Sequence, residues 1–224
     1  MTLSVNVQRL RIAGRTLIEG LALSVPPGSV HTLMGASGSG KSSLLAAVCG
    51  TAPAVVEFDG SVVLDGQHIE RWTTRQRRIA ILFQDDLLFA HMTVRENLLF
   101  AVPPGPRRQR EETVAQALRD LELPDFADAD PATLSGGQRA RVAQVRALHA
   151  QPQALLLDEP FSRLDAALRE RMREFVFTTV RARNIPALLV THDEADIANP
   201  AAVTRLQPPR SLAGQRAPVS RTGR

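Results

Sequence analysis

The stretch GASGSGKS, residues 35–42, has the spacing G-x-x-x-x-G-K-[ST]. The apolar run Val30–Met34 precedes it and predicts a buried parallel strand, and residues 42–49 predict a helix after it. Glycines let successive backbone N–H groups point at one phosphate, and the helix N-terminus adds partial positive charge beneath it. Strand, loop and helix in this order predict a phosphate-binding site, against the alternative of a chance glycine turn.

The lysine of this loop, Lys41, is the only lysine in the chain. All the other residues among its 27 lysines and arginines are arginines. At Lys41 a planar guanidinium would not fit the space that a compact ammonium fills. We therefore expect Lys41 to bind the β- and γ-phosphates of a nucleotide, and the Ser42 hydroxyl to bind Mg²⁺. The expected nucleotide contacts are consecutive residues: Gly35, Ala36, Ser37, Gly38, Ser39, Gly40, Lys41, Ser42 and Ser43.

Composition is typical of a globular protein. The chain has 224 residues, of which 44% are hydrophobic, enough for one large domain or two small ones. A net charge of +4 does not indicate a nucleic-acid partner, and none is expected. The start MTLSVNVQRL is unlike a signal peptide, and no apolar run approaches the ~20 residues that span a bilayer, so we expect a soluble chain. The single cysteine, Cys49, is expected to pack in the core, in a reducing compartment.

The order of apolar runs predicts the architecture. Short apolar strands alternate with helices, which indicates an α/β fold with a parallel core. Two strands near the start, residues 3–10 and 16–25, predict a small antiparallel sheet, and residues 85–148 predict an inserted set of helices. From residue 208 the chain carries arginine, proline and glycine without acids, which predicts a disordered basic tail. Such a tail either contacts an anionic membrane surface or has no function.

A second group of polar residues follows the apolar run at residues 154–157. That run ends in Asp158 and Glu159. At the carboxyl edge of a parallel sheet, Asp158 would lie beside the phosphate loop and hold Mg²⁺ opposite Ser42. Glu159 would take a proton from the attacking water. The alternative interpretation is a charged strand end before a proline turn.

A third group is the segment LSGGQ, residues 134–138. Two glycines at a helix start leave backbone N–H groups available to an anion. By itself the segment is equally compatible with an ordinary helix N-cap at Ser135. Together with the phosphate loop and the paired carboxylates, it indicates a nucleotide hydrolase of a specific kind.

Taken in order, these motifs resemble those of the ATP-binding subunits of ABC transporters. Leu134 to Gln138 resembles the signature of that family, Gln84 in ILFQDD the Q-loop, SRLD at residues 162–165 the D-loop, and His192 in VTHD the switch histidine. The resemblance covers residues 3–196, and FQDDLLFAHMTVRENLLF is similar to importer-type subunits. Outside this context, His192 would more simply be a capped histidine at a strand end.

The resemblance implies a fold and its boundaries. We expect a P-loop NTPase (RecA-like) parallel-sheet core with an N-terminal antiparallel β subdomain and an inserted α-helical subdomain. The ATPase domain would cover residues 1–207, with the core at 1–84 and 149–207, the helical subdomain at 85–148 and the tail at 208–224. The implied cofactors are ATP and Mg²⁺.

The resemblance also implies a dimer and its roles. Two subunits would face each other head to tail, so that each ATP lies between one phosphate loop and the partner's signature. The implied catalytic residues are Lys41, Gln84, Glu159 and His192; the implied metal contacts are Ser42, Gln84 and Asp158. The implied nucleotide contacts beyond the phosphate loop are Ser135, Gly136, Gly137, Gln138 and Asp165.

The expected partners follow from the same resemblance. A second copy completes the dimer, an integral membrane permease docks near residues 85–100, and a solute-binding protein acts through the permease. The chain would lie peripherally at the cytoplasmic face of the inner membrane. Small organic ions, sulfate-like anions, thiamine and metal complexes all remain open as solutes.

One alternative function and one departure from the family pattern remain. The alternative is a soluble ABC-type ATPase acting on DNA or ribosomes, although the sequence has no sustained heptads and no zinc motif. The departure is Ile12, which stands where the family usually places an aromatic ring that stacks on adenine; the chain has no tyrosine. Isoleucine offers no π-face, so we expect weaker nucleotide affinity and a looser base preference.

Overall fold

The computed structural model describes residues 1–83 and 85–206. Gln84 and the predicted tail at residues 208–224 therefore lie outside the described residues. The strands, in chain order, are β1 (Leu3–Ile12), β2 (Arg15–Val25), β3 (Val30–Met34), β4 (Val56–Leu64), β5 (Gln67–His68), β6 (Ile79–Leu82), β7 (Ala154–Asp158), β8 (Ala187–Thr191) and β9 (Val203–Arg205).

These strands form two sheets. An antiparallel sheet has the order β2-β1-β4-β5, and a second sheet has the order β6-β7-β8-β3-β9. Neighbouring strands of the second sheet run parallel, with Met34 opposite Thr191 and Leu82 opposite Leu157. Every residue of β7 and β8 is buried, as the continuous apolar runs predicted for a parallel sheet covered on both faces. The predicted α/β fold class is thus confirmed.

The helices, in chain order, are α1 (Lys41–Cys49), α2 (Thr74–Arg77), α3 (Val94–Ala101), α4 (Arg107–Asp120), α5 (Gly136–His149) and α6 (Ala166–Arg183). Helices α3 to α5 are inserted in the chain between β6 and β7. Thr93 with Glu96 three residues later predicts a capping box, and the structure has it at the start of α3. Thr93 Oγ1 accepts from the Glu96 N–H at 3.2 Å, and the Glu96 carboxylate accepts from the Thr93 N–H at 2.7 Å.

Two helical segments differ from what the sequence predicts. The apolar spacing over residues 110–121 predicts a helix from Arg110, whereas α4 begins at Arg107. Its first turn is polar and exposed and is supported by i,i+4 ion pairs such as Arg107–Glu111 at 2.8 Å, so hydrophobic periodicity does not detect it. After the apolar run at residues 187–191 the sequence also predicts a short helix from Asp193. The structure has only a 3-10 turn over Glu194–Asp196, closed by the Asp193 carboxylate, which accepts from the Ala195 N–H at 2.8 Å.

The parallel sheet separates two hydrophobic clusters. Leu155 and Leu157 of β7 face the cluster that contains α3 to α6, and Leu156 faces the cluster that contains α1 and the antiparallel sheet. Hydrophobic packing on both faces therefore stabilises the strands of the parallel sheet. The loops that follow the carboxyl ends of these strands are fixed as a result. Over residues 1–83 and 85–206, no helix combines the length and the apolar character that crossing a membrane requires.

Candidate nucleotide site

The predicted phosphate loop joins β3 to α1. Gly38 and Gly40 have φ angles of 74° and 94°, the left-handed region that favours glycine. Gly40 is the N-cap of α1, and as a glycine it has no side chain that could accept hydrogen bonds from the first N–H groups of the helix. The first turn of α1 carries no acidic residue either. The N–H groups at this helix start are therefore available to an anion.

Gly40 also brings the antiparallel sheet against the loop. A Cβ at Gly40 would lie 2.9 Å from Cβ of Leu17, which is closer than carbon atoms approach. Strand β2 therefore packs directly on the phosphate loop. Ile12, at the end of the paired strand β1, is half-buried and lies opposite Arg15 and Val56. Ile12, Arg15 and Val56, the residues in register at this strand end, are not aromatic, which agrees with the departure seen in the sequence.

Lys41 is buried at the start of α1, with 5% of its surface exposed. Its Nζ donates hydrogen bonds to the carbonyls of Gly35 and Ala36, both at 2.8 Å. Burial lowers the pKa of the ammonium, while the charges of Glu159 and Asp158 raise it. The only ammonium side chain of the protein is thus held inside the loop and faces the two carboxylates that the sequence predicted.

Asp158 ends β7 and is 4% exposed. Burial is the largest influence and raises the pKa of its carboxyl. A hydrogen bond from Ser42 and the charge of Lys41 lower this pKa, whereas the charge of Glu159 raises it, and the pKa is raised as the net result. One carboxylate and one hydroxyl suit Mg²⁺, which takes few protein ligands and completes its octahedron with water and substrate phosphates. The described residues contain no cluster of three or more His, Cys, Asp or Glu that would hold a metal without a substrate.

Glu159 follows with a strained backbone. Its φ is 48°, an unusual value for a residue with a Cβ. The Glu159 N–H donates to the Val190 carbonyl at 2.9 Å, and the Glu159 carbonyl accepts from the hydroxyl of Ser162 at 2.9 Å. These two bonds fix the backbone of the turn that carries the Glu159 side chain.

His192 comes directly after β8 and meets this side chain. Its Nδ1 lies 3.0 Å from Oε1 of Glu159, and 64% of the His192 side chain is exposed. The neighbouring backbone is fixed from α6: Arg169 contacts Asp193 and Asp196, each at 2.8 Å. Sequence reasoning missed Arg169. The available signal was an arginine in the first turn of a helix, followed at the next strand end by two aspartates.

The signature segment is not part of this cluster. Ser135 is the N-cap of α5, and its N–H donates to the Gln138 side chain at 2.7 Å in a capping box. The Asp165 carboxylate caps α6 by accepting from the Leu168 N–H at 3.0 Å. Across residues 1–83 and 85–206, no hydrogen bond or ion pair joins residues 134–138 to residues 35–42. One chain therefore presents the two halves of the predicted site separately.

An ion-pair network involves Asp85 and Asp86, the two residues that follow Gln84 in the sequence. Arg163 contacts Asp85 at 2.9 Å and Asp86 at 3.5 Å, and Arg139 of α5 contacts Asp86 at 3.4 Å. The residues after Gln84 are therefore linked to the D-loop and to the helix of the signature. Sequence reasoning did not anticipate these pairs.

A groove of about 840 Å³ opens between β6 and the helices α3 and α5. Leu87 and Phe100 lie on its rim with 56% and 65% of their surfaces exposed. The guanidinium carbon of Arg146 lies over the Phe89 ring, 5.2 Å from its centroid, and the same guanidinium donates to the Leu87 carbonyl at 2.9 Å. This groove is lined by part of the segment at residues 85–100 that the sequence predicted as a docking region, and most of its lining is apolar.

The chain is similar to known proteins along most of its length. A family model described as "ABC transporter" matches residues 18–162. The chain is 48% identical over 189 residues to an uncharacterized ABC transporter ATP-binding protein, YnjD, of Escherichia coli K12, covering 84% of this chain and 87% of that protein. It is 37% identical to a sulfate/thiosulfate import ATP-binding protein, CysA, of Salmonella typhi, covering 87% of this chain but 55% of that protein.

Another relative and a solved structure extend this likeness. The sn-glycerol-3-phosphate import ATP-binding protein UgpC of Paracoccus denitrificans is 41% identical and covers 85% of this chain, which spans 54% of that protein. The dimeric ATP-binding cassette MJ0796, solved in a post-hydrolysis state with ADP and Pi, is 28% identical with a TM-score of 0.77, covering 92% of this chain and 94% of that one. On these grounds the chain belongs to the ABC transporter family and is one of its ATP-binding subunits.

Proposed function

We propose that this chain binds and hydrolyses ATP to drive a bacterial solute importer, as a head-to-tail dimer with two composite ATP sites. One arrangement carries the proposal. Lys41 is buried where the charges of Glu159 and Asp158 raise its pKa, and His192 Nδ1 lies 3.0 Å from Glu159 Oε1, whereas within residues 1–83 and 85–206 the signature segment makes no hydrogen bond or ion pair with the phosphate loop. A second copy would supply the missing half of each site. The similar cassette of known structure is itself described as dimeric.

The proposed binding half follows the chemistry of each group. Lys41 and the backbone N–H groups of residues 35–43 hold the phosphates. Ser42 and Asp158 hold Mg²⁺, with Gln84 as a third contact, and the ion neutralises phosphate charge when bound. Ser135, Gly136, Gly137, Gln138 and Asp165 act from the second copy.

The proposed catalytic half is the contact between Glu159 and His192. Glu159 accepts the proton of the attacking water because its carboxylate extends from a fixed turn at the sheet edge. His192 orients that carboxylate and contacts the γ-phosphate. Because His192 is largely exposed, its second nitrogen remains open to a ligand.

The proposed partner is an integral membrane permease that docks in the groove near residues 85–100. An apolar rim with exposed Leu87 and Phe100 is the kind of surface that a partner helix covers. Docking there would keep the chain at the cytoplasmic face of the inner membrane, with a solute-binding protein acting through the permease. We propose the domain boundaries with it: core at 1–84 and 149–207, helical subdomain at 85–148.

Import rather than export is favoured by the relatives. CysA and UgpC are described as import ATP-binding proteins. The alternative, a soluble ABC-type ATPase acting on DNA or ribosomes, gains no support from relatives that are named as transporter subunits. A permease partner is therefore the better-supported proposal.

Substitution of Glu159 tests the hydrolysis part. Glu159→Gln keeps the size of the side chain and removes the base, so ATP binding should persist while turnover falls by at least about 10²-fold. The trapped Mg-ATP state should form a dimer in size-exclusion chromatography. The matched control is Glu112→Gln on the exposed face of α4, which should hydrolyse ATP at the wild-type rate. Near-normal hydrolysis by Glu159→Gln would remove Glu159 from the role of base.

Purification from native membranes tests the partner. The tagged Glu159→Gln chain is isolated with Mg-ATP under gentle conditions, and the accompanying proteins are identified. A protein with several membrane spans would support the importer and lead to its solute. A ribosome or a DNA-bound complex would favour the alternative function instead.

A further inference from the structure

Gln144 is a buried polar residue in the middle of the signature helix. It lies on α5 with 1% of its surface exposed. Its Nε2 donates to the Pro160 carbonyl at 2.6 Å. Within residues 1–83 and 85–206, its Oε1 accepts no hydrogen bond. A buried glutamine among apolar helix residues costs stability, so its presence calls for a physical reason.

A small cavity adjoins this side chain and reaches the catalytic turn. It has a volume of about 10 Å³, and its walls include Phe83, Asp86, Gln144, Glu159, Ser162 and Arg163. That volume is about the minimum that one water needs, and polar side chains such as Gln144, Glu159 and Ser162 form part of the lining, beside the apolar Leu82 and Ala140. One ordered water here would donate to Gln144 Oε1 and satisfy the atom that has no protein partner.

We infer that Gln144 is a positioning residue for Glu159, acting through the Pro160 carbonyl and one water in this cavity. The turn at Glu159 is strained and is held on one side by Val190 of β8 and on another by Ser162. Gln144 adds a hold from the signature helix. The bond fixes the residue that follows the proposed base, and so limits where its carboxylate can point.

This inference rests on the proposed function, because it assumes that a second copy places its ATP against Ser135 and Gly137. The same helix runs from that contact to Gln144, about 12 Å along its axis at 1.5 Å per residue. A rigid helix moved at its N-terminus moves Gln144 and the Pro160 carbonyl with it. The bond therefore couples the nucleotide of one site to the base of the other.

The test replaces Gln144 in the full-length chain by leucine, which keeps the volume and removes both polar groups. Steady-state ATPase assays should show kcat reduced about tenfold with KM changed less than about twofold, because ATP contacts are intact and only the base is misplaced. Gln144→Met, unbranched and flexible, is the second variant if leucine prevents folding.

Two controls separate positioning from stability. Val145→Ala removes packing from the same buried helix without touching Pro160, and should lower the melting temperature while leaving the kcat of the folded fraction unchanged. Gln109→Leu makes the same chemical change on the exposed start of α4 and should change neither. An ordered water within hydrogen-bonding distance of Gln144 Oε1 in a crystal structure would support the inference.

The opposing outcomes are distinct. A kcat of Gln144→Leu equal to wild type, or reduced only as in Val145→Ala, would overturn the positioning role while the proposed function stands. A dry cavity would overturn the water. A folded wild-type chain that hydrolyses no ATP would overturn the proposed function, and the inference with it.

Discussion

His192 Nδ1 and Glu159 Oε1 lie 3.0 Å apart, across the ends of the adjacent strands β8 and β7. Each residue is held from a different direction: Glu159 by its backbone bonds to Val190 and Ser162, and His192 by the Arg169 contacts to its neighbours. The contact therefore joins two independently fixed turns. A change at either turn should alter the orientation of the carboxylate.

Substitution of His192 should reduce turnover more than binding. In His192→Ala, Glu159 loses its orienting partner, and we expect kcat to fall about 10²-fold with little change in KM. Steady-state kinetics measure both. The matched control is His68→Ala, because His68 makes a similar exposed contact, at 3.1 Å, with Glu70. Equal losses in the two variants would contradict the assigned role.

The buried carboxyl of Asp158 should lower the stability of the folded chain at neutral pH, although the proposed Mg²⁺ contact requires it. Burial raises the pKa of its carboxyl in the folded state, so the charged form costs free energy of folding at neutral pH. The cost disappears as the pH falls through this raised pKa. Asp158→Asn should therefore melt higher than wild type at neutral pH, by about 2–4 °C for each kcal/mol gained. It should also lose Mg-ATP hydrolysis.

Thermal unfolding over a pH series checks the prediction for Asp158. The advantage of Asp158→Asn over wild type should shrink as the pH falls. Asp59→Asn, on the exposed face of β4, is the control and should show no such trend. A melting temperature of Asp158→Asn below that of wild type at neutral pH would contradict the argument.

An aromatic ring at residue 12 should tighten nucleotide binding. Ile12 packs without a π-face, and base stacking on an aromatic side chain contributes about 1–3 kcal/mol. Ile12→Tyr should therefore bind ATP about tenfold more tightly and discriminate more strongly against GTP. Equilibrium titration with both nucleotides measures this. Ile12→Leu, which adds no ring, should resemble wild type. A wild-type chain that already binds ATP strongly in preference to GTP would count against the prediction.

A polar substitution on the rim of the groove should impair docking and spare chemistry. In Phe100→Ser the isolated chain should keep its ATPase activity, whereas its affinity for the proposed permease should fall on the order of 30-fold, as for an aromatic contact at an interface centre. Recovery of the chain with washed membranes measures the difference. Val55→Ser removes another exposed apolar side chain, 50% exposed and remote from the groove, and should bind normally.

Local sequence patterns were sufficient to predict those parts of the fold that are formed by consecutive residues. The spacing around Lys41 and the apolar strand before Asp158 predicted the phosphate loop and the buried parallel strands, because glycine placement and continuous burial are written in consecutive residues. The parallel sheet then accounts for why Asp158, Glu159 and His192 meet at one edge. The likeness to known cassettes agrees with this architecture.

Contacts between distant residues could not be predicted in this way. The Arg163–Asp85 pair joins residues 78 positions apart, and Gln144 finds the Pro160 carbonyl 16 positions away. In the sequence, Arg163 resembles any exposed arginine and Gln144 any polar helix residue, because their partners become adjacent only in the folded chain. The polar first turn of α4 escaped for a related reason, because hydrophobic periodicity carries no signal where no side chain is buried.

The position of Lys41 gives this protein a built-in spectroscopic probe. Because Lys41 is the only lysine in the sequence, growth on isotopically labelled lysine would give one side-chain ammonium resonance, with no assignment needed. In this structure that group donates to the Gly35 and Ala36 carbonyls. Its resonance should shift when a phosphate replaces those carbonyls, so occupancy of each loop can be followed directly during turnover.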